Sequence, residues 1–373
     1  MLLLDVQKAF DCVNHEILLK KLNAIGIDPT WFNSYLSNRK QCVMINCIIS
    51  DAKDISCGVP QGSLLAPLLY LCYNNDMEIS VKSKLLLCAD DSVLIVSDRD
   101  PNVISRKLKS DLISCNQWFS ENKLSMHVEK TECILFSSKR NISKIKEFEI
   151  EYNGYTIKGQ PTVKYLGVSL DQTLSGEHMA KGVIAKITQK LKFLYRYKDC
   201  LNKTIKRNLC SALLQCHFDY CSSSWYFNLN TRLKRKLQTT QNRIVRYITG
   251  LPPRSHIGQT ELDSIQYLNV EDRLKQLCLN HMFKVKAGTS PSYLKDMFTE
   301  VSQVHNFNTR SRTHNFNLPS VKNIASNSFH FQTIKAWNCL PSEIKCIENY
   351  VSQVKMYLSK LSHSKQASDF VYA

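Results

Sequence analysis

Chain breakers are scarce in this sequence. Eleven glycines and ten prolines in 373 residues exclude collagen-like, linker-dominated and low-complexity architectures. No uninterrupted apolar run approaches the roughly 18 residues that a membrane span requires. The opening stretch MLLLDVQKAF lacks a basic n-region and reaches Asp5 after three leucines, so no signal peptide is expected. The 15 cysteines are odd in number and include no CxxC pair, which argues against a disulfide framework and for reduced, mostly buried thiols. Their densest group, Cys210, Cys216, His217 and Cys221, lies in a helical-looking apolar run without a zinc spacing.

What is present is a globular composition, 43% hydrophobic, long enough for two or three domains. The net charge of +17 is unevenly placed: residues 1–175 balance 20 basic against 20 acidic side chains, whereas 176–373 carry 29 against 12. A basic region beside a neutral one with clustered carboxylates suggests a polyanion held by one part and acted on by the other; a solvated basic surface with no partner gives the same count.

The periodicity separates the same two regions. From 1 to 175 short strands alternate with helices: Leu2 to Val6 and QCVMINCII read as strands, HEILLKKLNAIGI and WFNSYLSNR as helices, and GSLLAPLLYLCYNNDM as a buried helix. A helix follows near 100–120, then strands at TECILFSS, FEIEYNGYTIKG and VKYLGVSL. This is an α+β layer. After 176 strand signals nearly vanish. Lys/Arg-rich helical stretches follow, HMAKGVIAKITQKLKFLYRY, TIKRNLCSALLQCHFDYCSSSW and RLKRKLQTTQNRIVRYITG, the last stopped by Gly250 and Pro252. Residues 300–335 read as a polar loop before AWNCLPSEI and a final helix.

KLLLCADDSVLIVS at 84–97 places Asp90 and Asp91 between two apolar runs, a hairpin with carboxylates at its tip or an ordinary solvated turn. Asp5 ends the first strand, and GVPQGS at 58–63 combines Gly58 and Gly62 for close backbone approach, Pro60 for stiffness and Ser63 to cap the following helix. If these three pieces share one site, Asp5 and Asp90 can bridge two Mg²⁺ ions for in-line nucleotidyl transfer. Without metal, carboxylates so close would repel one another.

LDVQKAFDCVNH, GVPQGSLLAPLLYLCYNNDM, CADDSVLI, NKLSMHVEKTECILF and VKYLGVSLD resemble, in order, successive motifs of the reverse transcriptase of non-LTR retrotransposons, particularly jockey-like elements. The resemblance covers 1 to about 175; beyond it FNTRSR and FHFQTIKAWNCLPSEI are similar to the C-terminal part of such reading frames. It implies three regions: a polymerase palm at 1–175, an antiparallel sheet backed by helices; a mainly helical, basic, thumb-like region at 176–255; and a C-terminal extension at 256–373. It implies Asp5 and Asp90 as principal metal ligands with the Val6 carbonyl, Asp91 as a supporting carboxylate, and two Mg²⁺, with Mn²⁺ as the alternative ion. Lys130 matches a lysine that assists pyrophosphate departure, or is a plain surface lysine. Phe10 matches the aromatic gate against a 2′-hydroxyl, or is a core residue. Gln61 and Gly62 match positions near the incoming nucleotide, and Tyr165, Leu166 and Gly167 the primer-grip turn or a plain hairpin. Asp11 and Lys8 are assigned structural roles, helix capping and solvation. RLKRK, with Arg232, Lys234, Arg235 and Lys236, is a candidate nucleic-acid contact, a solvated helix face or a localisation signal. Tyr195, Tyr197, Trp225 and Tyr226 stack bases or fill a core.

The implied activity is RNA-directed DNA synthesis from dNTPs on an RNA template and DNA primer, inside the cell, in nucleus and cytoplasm, with no membrane role. Two departures matter. Only four residues precede Asp5, so the family's fingers and endonuclease are expected upstream of a truncated copy or of an internal Met start, and a strand there is expected to fray. Cys88 stands where the family has an aromatic ring. The competing reading is an inactive remnant that binds RNA or DNA through its basic helices; a maturase-like or telomerase-like protein is a third.

Overall fold

A computed structural model describes residues 1–145, 147–304, 314–321, 323–345 and 350–363; the FNTRSR motif at 307–312 lies outside them. The chain divides into two compact units, Met1–Gly167 and Val168–Ala373.

In the first unit a four-stranded antiparallel sheet has the spatial order Lys84–Cys88, Asp91–Ile95, Leu2–Leu4, Glu132–Cys133. The first strand is paired on both sides. It lies inside the sheet, paired with Ser92–Leu94 on one side and Glu132–Cys133 on the other, and the Met1 ammonium donates to the Ile134 carbonyl at 3.0 Å. Leu2 and Leu4 are fully buried, each worth about 1.5–3 kcal/mol of apolar burial.

Three helices complete this core. His15–Ala24 starts at Asn14, whose side chain accepts from the Ile17 N–H at 3.0 Å, and buries Leu18 and Leu22, one turn apart. The helix Pro101–Glu121 opens on the Asp100 cap with proline in its first turn and buries Ile104, Leu108, Leu112, Cys115 and Phe119 along one stripe. It packs against the strand Glu149–Tyr152. Ala66–Asn74 buries Leu69, Tyr70 and Tyr73, but Leu68 and Leu71 face outward. The expected fully buried helix is therefore buried on one face only, since an all-apolar run carries no periodic signal for which side meets the core.

QCVMINCII is not one strand. It folds back as a hairpin, Met44–Ile45 against Ile48–Ile49, because Asn46 and Cys47 both take left-handed backbone, φ 49° and 65°, as a two-residue type I′ turn requires. FEIEYNGYTIKG, expected as a strand, forms the hairpin Glu149–Tyr152 and Tyr155–Lys158 about Asn153 and Gly154, the turn an Asn-Gly pair favours.

The second unit is helical. Glu177–Tyr195 and Thr231–Thr249 form as the pattern predicts, the latter closed by Gly250 at φ 76°. The stretch 204–225, expected as one helix, breaks. A π-turn at Ser211–Gln215 interrupts it, Tyr220 is extended and Cys221 is left-handed at φ 47°, while Asp219 is held by Arg273 at 2.7 Å. The expected loop at 300–335 ends early, at the helix Phe329–Asn338 capped by Ser328. Two apolar clusters fill this unit, one spanning Val168 to Cys278 and one spanning Leu268 to Leu358. Among the described residues no helix is long and apolar enough to cross a membrane, and 14 cysteines are free.

Asp171 organises the entry to Glu177–Tyr195. Its carboxylate accepts from the N–H and hydroxyl of Thr173, the N–H and hydroxyl of Ser175 and the N–H of Gly176, at 2.6–3.1 Å. Burial alone would raise its pKa, but the Thr173 and Ser175 hydrogen bonds outweigh it and hold the carboxyl below the ordinary value. That stabilisation is therefore complete above the unfolded value near 4 and is lost as pH falls through the lowered folded one. Asp171→Ala should cost on the order of 2–3 kcal/mol in urea unfolding at neutral pH and flatten the acid limb of the stability curve; equal slopes for variant and wild type between pH 5 and 2 would contradict this.

Candidate active site

Pairing of Leu4 with Ser92 and of Cys88 with Asp91 puts Asp5, the residue after the first strand, beside the closed end of the aspartate hairpin. Ala89 and Asp90 are its two turn residues. Ala89 sits at φ 55°, a conformation costing a non-glycine residue about 1–2 kcal/mol. Backbone pairing also fixes Asp5 from the other side: its carbonyl accepts from the His127 N–H at 2.8 Å, and Gln7 donates to the Ser125 carbonyl at 2.8 Å.

The three carboxylates feel one another. Asp91 has its pKa raised, first by burial and then by the charges of Asp90 and Asp5. Among the described residues the cation ion-paired with them is Lys130, whose Nζ lies 3.9 Å from Asp5 Oδ2, carried there by the short helical turn Val128–Lys130. Sequence alone left Lys130 open between this site and bare surface; the structure places it at the carboxylates.

A cavity of about 450 Å³ opens beside Asp90, lined among others by Val6, Lys8, Phe10, Gln61 and Gly62. Phe10 is half-buried and stacks on Tyr70, ring centroids 4.8 Å apart and planes 27° from parallel. It is thus both a core-packed ring and a cavity wall. GVPQGS is tied to the same region: Gly58 N–H donates to the Val13 carbonyl at 2.7 Å and Val59 N–H to the Phe10 carbonyl at 2.8 Å. A Cβ on Gly58 would lie 2.8 Å from the Asp11 carbonyl oxygen, at φ 89°, so only glycine fits there. Ser63 Oγ accepts from the Ala66 N–H at 3.0 Å. Asp11 does not cap a helix; Asn14 does, and Asp11 instead accepts from the Gln61 amide at 2.8 Å. Lys8 is more than a solvated side chain, since it lines this cavity and a neighbouring one of about 630 Å³ that also includes Arg39 and Gln61.

Tyr165 is half-buried with its pKa raised by burial, then by Cys88 and Asp91, which sets it near the hairpin; Leu166 and Gly167 after it both have left-handed backbone, φ 45° and 79°. Two participants were missed in the sequence. Tyr70 is wholly buried, its hydroxyl has no hydrogen-bond partner among the described residues, and its pKa is raised by burial and then by Asp90. A tyrosine in an apolar helix reads as core, so only its hydroxyl hinted at more. Arg39 carried no signal beyond a lone charge after a helix.

The chemistry of the donors fits divalent cations. Asp5, Asp90 and Asp91 leave a surplus of negative charge at this end of the sheet, which hard cations offset. Among the described residues no three Asp, Glu, His or Cys side chains group to hold one ion, so an ion here takes one or two carboxylates and completes its shell with carbonyl, water or phosphate oxygens, as Mg²⁺ commonly does. The Cys210 group shows no such grouping either, and burial pushes the Cys210 thiol up to about 12.

The profile of the family described as reverse transcriptase (RNA-dependent DNA polymerase) matches residues 1–170. The RNA-directed DNA polymerase from mobile element jockey of Drosophila melanogaster is 24% identical over 340 residues, 85% of this chain and 36% of the relative. Residues 1–170 match a reverse transcriptase domain, and the chain is similar to RNA-directed DNA polymerases of non-LTR retrotransposons. Similar relatives include the "Probable RNA-directed DNA polymerase from transposon X-element" of Drosophila melanogaster, 28% identical over 67% of this chain and 28% of the relative. Another is the Pol polyprotein of the type-1 retrotransposable element R1 2 of Nasonia vitripennis, 26% identical over 61% of this chain and 60% of the relative. The chain spans about a third or less of the length of the two Drosophila relatives.

For the RLKRK segment, in the second unit, the structure separates the four side chains: Arg232, Arg235 and Lys236 are exposed, whereas Lys234 is half-buried. Of the four aromatic candidates, Trp225 and Tyr226 are core and Tyr195 and Tyr197 are exposed.

The raised pKa of Asp91 fixes a sign. Its ionised form is disfavoured by folding, so it costs stability at neutral pH and that cost is relieved as pH falls through its folded value. Asp90→Asn removes one of the repelling charges. In EDTA the variant reverse transcriptase domain should melt above wild type, and millimolar Mg²⁺ should raise the melting temperature of wild type but not of the variant. A variant that melts lower in EDTA and responds equally to Mg²⁺ would mean that the carboxylates are not electrostatically coupled.

Proposed function

We propose that this reverse transcriptase domain copies an RNA template by extending the 3′-hydroxyl of a DNA primer with dNTPs, inside the cell. Residues 1–175 serve as the palm, 176–255 as a thumb-like region and 256–373 as an extension, with the exposed Arg232, Arg235 and Lys236 touching phosphates. The observation that carries the reading is the alignment of Asp5 with the Asp90–Asp91 hairpin beside a cavity walled by Phe10, Gln61 and Gly62.

Asp5 and Asp90, with the Val6 carbonyl, hold the metal ions. Two Mg²⁺ ions held there, or Mn²⁺ in their place, would supply the positive charge that lowers the pKa of an attacking hydroxyl and steadies a leaving pyrophosphate. Asp91, whose pKa is raised by burial and then by its neighbours' charges, serves as a support rather than a bridge. Lys130, beside Asp5, stands where it can give a proton or positive charge to the departing pyrophosphate. Lys8, which lines both cavities, and Arg39, which lines the larger one, offer charge to the triphosphate. Phe10 lies against the sugar, held by the Tyr70 ring beneath it, and excludes a 2′-hydroxyl. Tyr165, Leu166 and Gly167 position the primer end.

Extension of a primed homopolymer RNA with labelled dTTP and Mg²⁺ tests this. Asp90→Asn should lower incorporation by at least about a hundredfold, the scale lost when a metal-centred step fails. Phe10→Val should raise ribonucleotide use relative to dNTP about tenfold, the discrimination that small steric changes in a pocket command. Salt-sensitive RNA binding without any incorporation by wild type would identify an inactive, nucleic-acid-binding remnant instead.

A further inference from the structure

The second unit contains a cavity of about 180 Å³ that none of the proposed polymerase steps uses. It is enclosed by Tyr226 and Phe227 and by the helices Thr231–Thr249, Val270–Lys286 and Phe329–Asn338. Three of its lining side chains are Lys234, Lys275 and Lys335, against one carboxylate, Glu271. Glu271 is already engaged, 3.2 Å from Lys275, which also lies 3.4 Å from Asp272. Lys234 is different. Its ammonium lies 5.1 Å from the centroid of the buried Tyr226 ring, and among the described residues no carboxylate lies within ion-pairing distance of it. Burial lowers its pKa, attraction from Glu271 opposes that, and repulsion from Lys275 adds to it.

A half-buried ammonium loses part of its hydration, and a single aromatic face offsets only part of that loss. An anion entering the cavity supplies the missing counter-charge. Its kind follows from the donors. A planar carboxylate is matched by the flat fork of arginine, and the cavity lining includes none; separate ammonium groups act as point charges suited to a tetrahedral phosphoryl group. The volume falls below the roughly 300–1,000 Å³ of drug-sized sites, which fits one phosphoryl group and what is directly attached to it.

We propose that this cavity binds a phosphoryl group, from a nucleic-acid strand or a free nucleotide, with Lys234 as its principal contact. The site lies wholly within the second unit and does not depend on polymerase chemistry.

Pyridoxal 5′-phosphate tests it on the full chain in EDTA, where the aspartate site has no metal to draw phosphate. The aldehyde condenses with a lysine amine, releasing water; borohydride reduces the imine to a stable secondary amine, and peptide mass spectrometry locates it. Lys234 should react at least about tenfold faster with pyridoxal 5′-phosphate than with pyridoxal, the contrast expected when phosphate anchoring supplies about 1.4 kcal/mol. Adenosine monophosphate should protect it and adenosine should not. Protection by a 5′-phosphorylated RNA decamer but not its 5′-hydroxyl form assigns a terminal phosphate; equal protection by both assigns an internal phosphodiester; protection by the monophosphate alone assigns a free nucleotide. Glu271→Gln, which removes the only acidic side chain in the lining, should strengthen protection several-fold, an outcome that misfolding cannot imitate. Equal labelling by the two aldehydes, or no protection by any phosphorylated compound, overturns the proposal. Repeating the labelling on Asp90→Asn keeps its outcome separate from that of the polymerase assay.

Discussion

The antiparallel register of the first strand against Ser92–Leu94 is the constraint on which the site depends. Side chains in a strand alternate between faces, so a slip by one residue would turn Leu2 and Leu4 out of the core and carry Asp5 away from the hairpin. Burial of those leucines between two paired neighbours makes such a slip expensive. Apolar packing thus sets the position of a charged group that, by itself, would drift from its like-charged neighbours.

That positioning works against electrostatics. Asp91 has its pKa raised by burial first and then by the charges of Asp90 and Asp5, and Lys130 at 3.9 Å from Asp5 is too exposed to offset that crowding fully. Ala89 adds backbone strain at the same tip. The hairpin nonetheless closes because the apolar pairs behind it, Leu85 with Leu94 and Leu86 with Val93, belong to a sheet whose inner strands bury Leu2, Leu4, Val93 and Leu94. Unfavourable charge and strain concentrated at one end of a well-packed sheet are the usual marks of a functional site.

Much of this was legible in the sequence because it is local. The two apolar runs around Asp90 and Asp91 and the Gly250 stop are written within a few residues of where they act. What was not legible depends on distant neighbours or on weak turn residues. Asn46 and Cys47 lack glycine, so the hairpin they form looked like one strand. Asp11 resembled a cap, but its hydrogen bond runs to Gln61, 50 residues away. Tyr70 looked like any core aromatic until Phe10 was found stacked on it. The 204–225 stretch has helical periodicity throughout, and nothing in it announces the break at Cys221 near an Asp219 held by Arg273.

The RLKRK segment shows why a run of charge is not a surface. Five consecutive helical residues sweep through more than a full turn, so their side chains point around the helix rather than to one side. Leu233 and Leu237 mark the buried stripe, continued by Gln241, Ile244 and Ile248. Arg232, Arg235 and Lys236 fall on the open face. Lys234 falls at the border of the stripe and must meet whatever the neighbouring helices present, here the Tyr226 ring and Lys275 rather than an acidic side chain of its own. The same arithmetic that gives this helix a solvated basic face therefore also directs one lysine inward, and the two are separable features of a single five-residue motif.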